Sequence, residues 1–184
     1  MTLWLVRHAQ PLIGKGICYG QLDMPADAEA TQACAQELAK VLPDHITVVT
    51  SPLQRCELLA PVLLGFRPDL IVSVDPRLQE MNFGQWEGRP WADIPKAELD
   101  AWTDDFAHYR AGQTGESVSQ FMARVAAALD ELHLKQDTLW ITHAGVIRAA
   151  TLLATGIRSI TRADQWPVDA PACGQWCKLT VNPS

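Results

Sequence analysis

Long hydrophobic runs are missing from this 184-residue chain, and no segment approaches the length that spans a bilayer. No basic residue precedes the short apolar stretch of the N-terminus, MTLWLVRHAQP, so no secretory signal is expected and the cytoplasm is the predicted location. Positive charge is scarce. Lys and Arg number 15 against 21 Asp and Glu, a net charge of −6, which argues against nucleic acid or an anionic membrane as partner. A small anion is not excluded, because a few arginines can make a local positive pocket. Cysteine is sparse and odd in number, at five, which does not suggest a disulfide framework. Cys34 and Cys56 fall on helical apolar faces and read as core. Cys173 and Cys177 could be paired ligands, but no second Cys or His pair accompanies them. No cluster of carboxylates marks a metal site, and no cofactor is expected. Repeats, low-complexity stretches and linkers are absent, so residues 1–184 are expected to form one domain.

What is present is a globular composition, 48% apolar and 20% charged. Strands are predicted at Thr2–Val6, Ile46–Thr50, Leu70–Val74, Thr138–Thr142 and Trp176–Val181. A Gly-rich loop, Gly14 to Gly20, follows the first strand. A helix is expected over Asp27–Leu42, capped by Asp27, with Ala30, Cys34, Leu38 and Val41 on one face. Another is expected over Leu53–Leu64, with Leu53, Cys56, Ala60 and Leu63 inward and Gly65 as its stop. Ser117 and Gln120 form a capping box before the apolar stripe Val118, Phe121, Val125, Leu129, Leu132. A last helix is expected over Gly145–Ala154. Residues 75–116 are less regular, with Trp86, Trp91 and Trp102, and short helices near Trp91–Leu99 and Leu99–Tyr109. Such a segment can act as a lid over a cleft or simply pack against the core. Alternating strands and helices imply an α/β fold, a three-layer αβα sandwich with a mainly parallel sheet covered on both faces.

Two of the strands end alike: Leu3–Val6 runs into Arg7-His8-Ala9, and Thr138–Thr142 into His143-Ala144-Gly145. Ligands of open α/β sheets bind at the carboxyl ends of strands, so two imidazoles and an arginine are expected in one cleft. That set suits a phosphate monoester. Guanidinium forks from Arg7 and Arg55 match its oxygens. The helix start at Arg55 would add backbone donors. His143, held cationic by the phosphate, and the amides of Ala144 and Gly145 would assist. His8 is the candidate nucleophile: a neutral imidazole nitrogen attacks phosphorus, and the flanking arginines favour the neutral ring. Its other nitrogen is expected to bond a backbone carbonyl. Arginines would do here what a metal does elsewhere, so a metal-independent reaction is predicted. Glu80 is the candidate proton donor to the leaving group, because a carboxyl beside a dianion keeps its proton. Glu87 and Glu116 are weaker candidates. His45, His108 and His133 read as structural or solvated.

These residues, taken in order, resemble the histidine phosphatase superfamily, the phosphoglycerate mutase-like fold. WLVRHA is similar to its nucleophile motif, SPLQR to its second arginine motif, LQEMNFGQWEGR to its proton-donor block. GES at Gly115–Ser117 and ITHAG at His143 complete the series over nearly the whole chain. The resemblance implies a phosphomonoesterase with a phosphohistidine at His8. Within the superfamily the α-ribazole phosphatases are most similar, on ICYGQLDMP, EMNFGQWEG, Trp102 before GES, and Trp176. This implies α-ribazole 5′-phosphate, of cobalamin synthesis, as substrate. A broad sugar-phosphate phosphatase, a small mutase-like enzyme and a non-catalytic phosphate-binding module are the alternatives. The intact set Arg7, His8, Arg55, Glu80 and His143 argues against the last. Ala9 and Gln10 replace the usual Gly and Glu, and the family's phosphate-contacting Asn is absent, with Gln21 the candidate replacement.

Overall fold

Alternate residues of the first strand face opposite layers, and that alternation organises the molecule. The computed structural model describes residues 1–132 and 136–181; His133 lies outside them. In β1 (Thr2–Arg7), Leu3 and Leu5 join one buried cluster while Trp4 and Val6 join the other. β4 (Thr138–Thr142) does the same, with Trp140 on the first side and Leu139 and Ile141 on the second. Strands buried on both faces read as continuous apolar runs, as these two do.

The sheet has the order β3-β2-β4-β1-β5. β2 (Thr47–Thr50), β3 (Ile71–Val74), β4 and β1 run parallel, while β5 (Trp176–Thr180) pairs antiparallel with β1. The α/β class expected from the sequence is therefore the observed one. Residues of α1 (Ala28–Val41) and α3 (Leu59–Phe66) build the core under one face. Residues of α5 (Val118–Asp130) and α6 (Ala144–Ala154) build it under the other.

Asp27 caps α1 by accepting from the Ala30 N–H at 2.8 Å. The buried stripe of α1 is Thr31, Cys34, Ala35 and Leu38, so it sits to one side of the expected face. Val41 is 47% exposed. The helix expected over Leu53–Leu64 is broken into α2 (Gln54–Glu57) and α3. Pro61 explains the break, since it has no N–H for the Glu57 carbonyl and its ring crowds that oxygen. The four residues expected inward, Leu53, Cys56, Ala60 and Leu63, are all buried. Gly65 does not stop the helix, which continues to Phe66.

In residues 75–116, α4 (Lys96–Asp104) is the main regular element, and it straddles the boundary expected between two short helices. The segment packs its aromatics inward. Trp86 is fully buried and donates its indole N–H to Glu98 at 2.6 Å. α5 starts with the capping box foreseen at Ser117 and Gln120.

Candidate active site

Arg7 at the end of β1 stands opposite Thr142 at the end of β4. The next residues, His8 and His143, therefore leave the sheet side by side. Their ring centroids are 5.1 Å apart. The His8 N–H donates to the Thr142 carbonyl at 3.0 Å, and His8 is 2% exposed.

His8 Nδ1 lies 2.7 Å from the Ala9 carbonyl. A carbonyl only accepts, so Nδ1 carries the hydrogen and the Nε2 lone pair is left available. The His8 pKa is pushed down to about 3, first by burial and then by Arg55 and Arg7, with the Ala9 bond opposing. The sequence expectation credited the arginines, but desolvation is the larger cause.

His143 is fully buried at the mouth of α6. Its Nε2 lies 2.8 Å from Ser51 Oγ and 3.4 Å from Cys56 Sγ. Burial, then Arg55 and His8, hold its pKa well below the usual imidazole range. The ring is thus neutral in the free protein, and the cationic His143 expected from the sequence belongs to the phosphate-bound state. Only a bound dianion could return its proton.

Both imidazoles are neutral here, whereas in the unfolded chain each takes up a proton below about pH 6.5. The unfolded state then binds more protons, so stability is full above about pH 6.5 and is lost as pH falls. For His8 the loss continues toward pH 3. The expected slope is roughly 1.4 kcal/mol per pH unit for each imidazole. Urea unfolding at pH 6.5, 5.5 and 4.5 measures it, and His8→Ala should remove about half of the histidine share. Parallel profiles for the two proteins would mean that His8 charges freely in the folded state.

Arg55 is fully buried. Its guanidinium donates from Nη1 to the Leu22 carbonyl at 3.0 Å and from Nη2 to the Gly20 carbonyl. It also lies over the Tyr19 ring at 5.4 Å. Arg7 Nη1 donates to the Pro171 carbonyl at 3.2 Å. The Nε of each arginine is buried without a partner. Two orphaned N–H groups on two guanidiniums beside paired imidazoles are a costly arrangement unless an anion satisfies them. The backbone donors expected from the helix before Arg55 are another matter. α2 is a single turn, and its Gln54 N–H is already held by Asp23 Oδ1 at 2.8 Å.

Glu80 is held against the start of α6, next to His143. Its Oε1 accepts from the Met81 N–H at 2.9 Å and its Oε2 from the Gly145 N–H at 3.0 Å. Gly145 is required by this approach, since a Cβ there would stand 2.1 Å from Glu80 Oε1. The Gly145 amide expected to face a phosphate is therefore engaged. Ala144, the first residue of α6, keeps an N–H that the helix itself cannot use.

Gln21 does not face a phosphate in this arrangement. Its Nε2 donates to the Glu80 carbonyl at 3.3 Å, and its Oε1 accepts from Asn82 Nδ2 at 3.2 Å. It braces the Glu80 loop. Glu87 accepts from the N–H groups of Gln21, Leu22 and Phe83, which clamps that loop. Glu116 is paired with Arg124 at 2.7 Å.

Arg124 is the residue that sequence reasoning missed. It donates to the carbonyls of Arg77 and Gln79 at 2.7 Å each and of Glu80 at 2.9 Å. It thereby fixes the backbone that presents Glu80. The signal was available: Arg124 is the only charged residue between Val118 and Leu129, inside the apolar run from Phe121 to Leu129. Ser51 and Cys56, the neighbours of His143, carried no such signal.

A cavity of about 450 Å³ opens from Glu80 and Gly145 and is walled by aromatic side chains. The cleft as a whole offers neutral imidazoles, two arginines with free donors, and a carboxylate at the entrance to an apolar chamber. Those groups suit displacement at phosphorus. Among the described residues no three or more His, Cys, Asp or Glu side chains converge as metal ligands. Among them no helix is long and apolar enough to cross a membrane.

Comparison with known proteins agrees with this chemistry. The family model of the histidine phosphatase superfamily (branch 1) matches residues 3–181. The adenosylcobalamin/alpha-ribazole phosphatase of Escherichia coli (strain K12) is 29% identical, over 99% of this chain and 91% of that protein. The glucosyl-3-phosphoglycerate phosphatase of Mycolicibacterium vanbaalenii is 33% identical, over 90% of this chain and 77% of that protein. The crystal structure of the alpha-ribazole phosphatase from Shigella flexneri superposes with a TM-score of 0.81 at 29% identity, covering 99% of this chain and 91% of that one. This chain is a phosphatase, and it belongs to branch 1 of the histidine phosphatase superfamily.

Proposed function

We propose that the protein hydrolyses a small phosphate monoester through a phosphohistidine at His8, with α-ribazole 5′-phosphate as its substrate. The observation that carries the mechanism is the bond from His8 Nδ1 to the Ala9 backbone carbonyl at 2.7 Å. It leaves Nε2 as a fixed, unprotonated nucleophile. The substrate reading is supported by the relatives named for alpha-ribazole and by the aromatic cavity beside Glu80.

In the first step the Nε2 lone pair forms the N–P bond while the P–O bond to the leaving group breaks. Glu80 gives its proton to the departing oxygen. Arg7 and Arg55 hold the non-bridging oxygens as charge shifts outward. When the phosphate dianion binds, His143 takes up a proton from solvent and adds a third positive group, and it gives that proton back to solvent when inorganic phosphate leaves. In the second step the Glu80 carboxylate takes a proton from water, whose oxygen attacks phosphorus. The N–P bond breaks, and inorganic phosphate leaves with the imidazole neutral again. The arginines supply the charge that a divalent ion would supply elsewhere, so no metal is needed.

Brief mixing with labelled substrate followed by quenching tests this reading. Label should appear on protein in a form stable to base and labile to acid, and turnover should be unchanged by a chelator. Label stable to acid, or activity restored only by an added metal, would overturn it. A panel of α-ribazole 5′-phosphate, sugar phosphates and nucleotides tests the substrate. A higher kcat/KM on sugar phosphates would favour the broad phosphatase instead.

A further inference from the structure

We propose that Ser51 is a positioning residue for the reaction, its hydroxyl a rotor that lets His143 take up and release a proton without moving its ring. This rests on the phosphohistidine reading above, in which His143 becomes charged when the phosphate dianion binds. Ser51 is the first residue beyond β2, and its N–H donates to the Ile141 carbonyl of β4 at 3.0 Å. That bond holds the side chain beside His143, the first residue beyond β4. Both residues are fully buried, so each depends on the other for a partner. Ser51 Oγ lies 2.8 Å from His143 Nε2 and accepts from the Leu53 N–H at 3.4 Å. Cys56 Sγ lies 3.4 Å from the same Nε2, and its S–H donates to the Thr142 carbonyl at 3.4 Å. Burial pushes the Cys56 thiol up, so it stays protonated, and Ser51 is a hydrogen-bond partner of that thiol as well.

A hydroxyl has one hydrogen to give and two lone pairs. In the free protein the Nε2 lone pair is a stronger acceptor than the thiol sulfur, so Ser51 donates to the ring and the ring keeps its own hydrogen on Nδ1. When a proton arrives on Nε2, the direction of that bond must reverse. The Nε2–H then donates to Ser51 Oγ, and the hydroxyl hydrogen turns to the Cys56 sulfur. The donors now run one way, from ring to hydroxyl to thiol to the Thr142 carbonyl. A hydroxyl torsion is the whole movement. Alanine at this position would leave a charged N–H facing a weak sulfur acceptor inside the protein, which is unfavourable.

The charges around His143 make this partner matter. Arg55 on α2, His8 and Arg7 at the end of β1, and Arg124 on α5 all act against a cationic ring. Cys56, also on α2, is neutral. Glu80 sits on the Gly145 N–H at the start of α6, and it carries no charge while it holds the proton meant for the leaving group. The bound dianion and the Ser51 oxygen are therefore what favour the imidazolium.

Nitrogen NMR of the histidine rings tests this, with inorganic phosphate as the ligand and His143→Gln to assign the signal. In free wild-type protein at about pH 7, His143 Nε2 should be the nitrogen without hydrogen, and with phosphate bound both ring nitrogens should carry one. Hydrogen on Nε2 in the free protein would overturn the rotor. In Ser51→Ala the titration midpoint of His143 in the phosphate complex should move down by roughly one pH unit, a tenfold weaker hold on the proton. The basic limb of kcat should move down with it, so activity falls about tenfold above the limb and little below it. Ser51→Thr keeps the hydroxyl and should return both midpoint and limb toward wild type. A loss equal at every pH with the limb unmoved, or a folded Ser51→Thr that behaves as Ser51→Ala, would overturn the proposal and leave Ser51 a structural residue. If neither variant folds, the wild-type tautomer decides. Phosphohistidine trapping in the wild type reports on the underlying mechanism separately. A ring that stays neutral with phosphate, in protein that still traps the intermediate, overturns the rotor and leaves the nucleophile standing.

Discussion

His8→Ala should lower turnover by about 10⁴-fold or more and abolish the trapped phosphoprotein. Removing a covalent nucleophile costs on this scale because the remaining groups can only bind and polarise the ester. The reason to single out His8 over its neighbour is geometric. A carbonyl fixes the hydrogen of His8 on Nδ1, at 2.7 Å. The partner of His143 Nε2 is the Ser51 hydroxyl, at 2.8 Å, which can donate or accept. The tautomer of His143 is therefore adjustable, which suits a group that gains and loses a proton around a dianion. Burial also keeps His8 neutral over the working range, with its pKa near 3, so the nucleophile is not lost to protonation at mildly acidic pH. The variant should still bind phosphate or vanadate, since Arg7 and Arg55 remain, and calorimetry checks this. Label that persists in His8→Ala would move the nucleophile, with His143 the first candidate. Loss of both turnover and phosphate binding would point to a collapsed site and to a structural part for His8.

The parts of this site that the sequence reveals are those fixed by local pattern. β1 and β4 are continuous apolar runs because both faces of each are buried, and the residue after each run must emerge at the carboxyl edge. That logic locates His8 and His143 without any coordinates. The Asp27 cap and the Ser117–Gln120 box are equally local and equally visible. What escapes is what depends on contacts between distant loops. Gln21 and Asn82 lie 61 residues apart in sequence, and nothing near either announces their hydrogen bond. Glu87 looks like a surface carboxylate until Gln21, Leu22 and Phe83 turn their amides toward it. The misjudged face of α1 has another cause. Ala35 and Val41 are both apolar, and spacing alone cannot tell that the small residue meets the sheet while the larger one meets water. The interrupted second helix was legible at Pro61, but the apolar spacing runs through it and conceals the break.

Glu80→Gln should separate substrates by leaving group. A sugar alkoxide must be protonated as its P–O bond breaks, whereas nitrophenolate departs without help. Loss of a positioned general acid should slow phosphorylation of His8 by a sugar or nucleoside ester about 10²- to 10⁴-fold. Phosphorylation by p-nitrophenyl phosphate should slow only a few fold. The phosphorylation step must be measured directly, because turnover of the better leaving group can be limited by water attack. The substitution also has a structural cost. Both Glu80 oxygens accept main-chain N–H bonds, from Met81 at 2.9 Å and Gly145 at 3.0 Å. A glutamine must turn an N–H toward one of them, which disturbs the corner. That disturbance acts alike on every substrate, so it cannot imitate a dependence on leaving group. Arg124→Lys is the matching control for position. It weakens the hold on the Arg77, Gln79 and Glu80 carbonyls while leaving the carboxyl in place. A misplaced acid should give a smaller split in the same direction, and a merely loosened fold should give none. Equal losses on both esters in Glu80→Gln would reduce Glu80 to a brace of the Gly145 turn. No loss on either would remove it from the reaction and pass the role to Glu87 or Glu116.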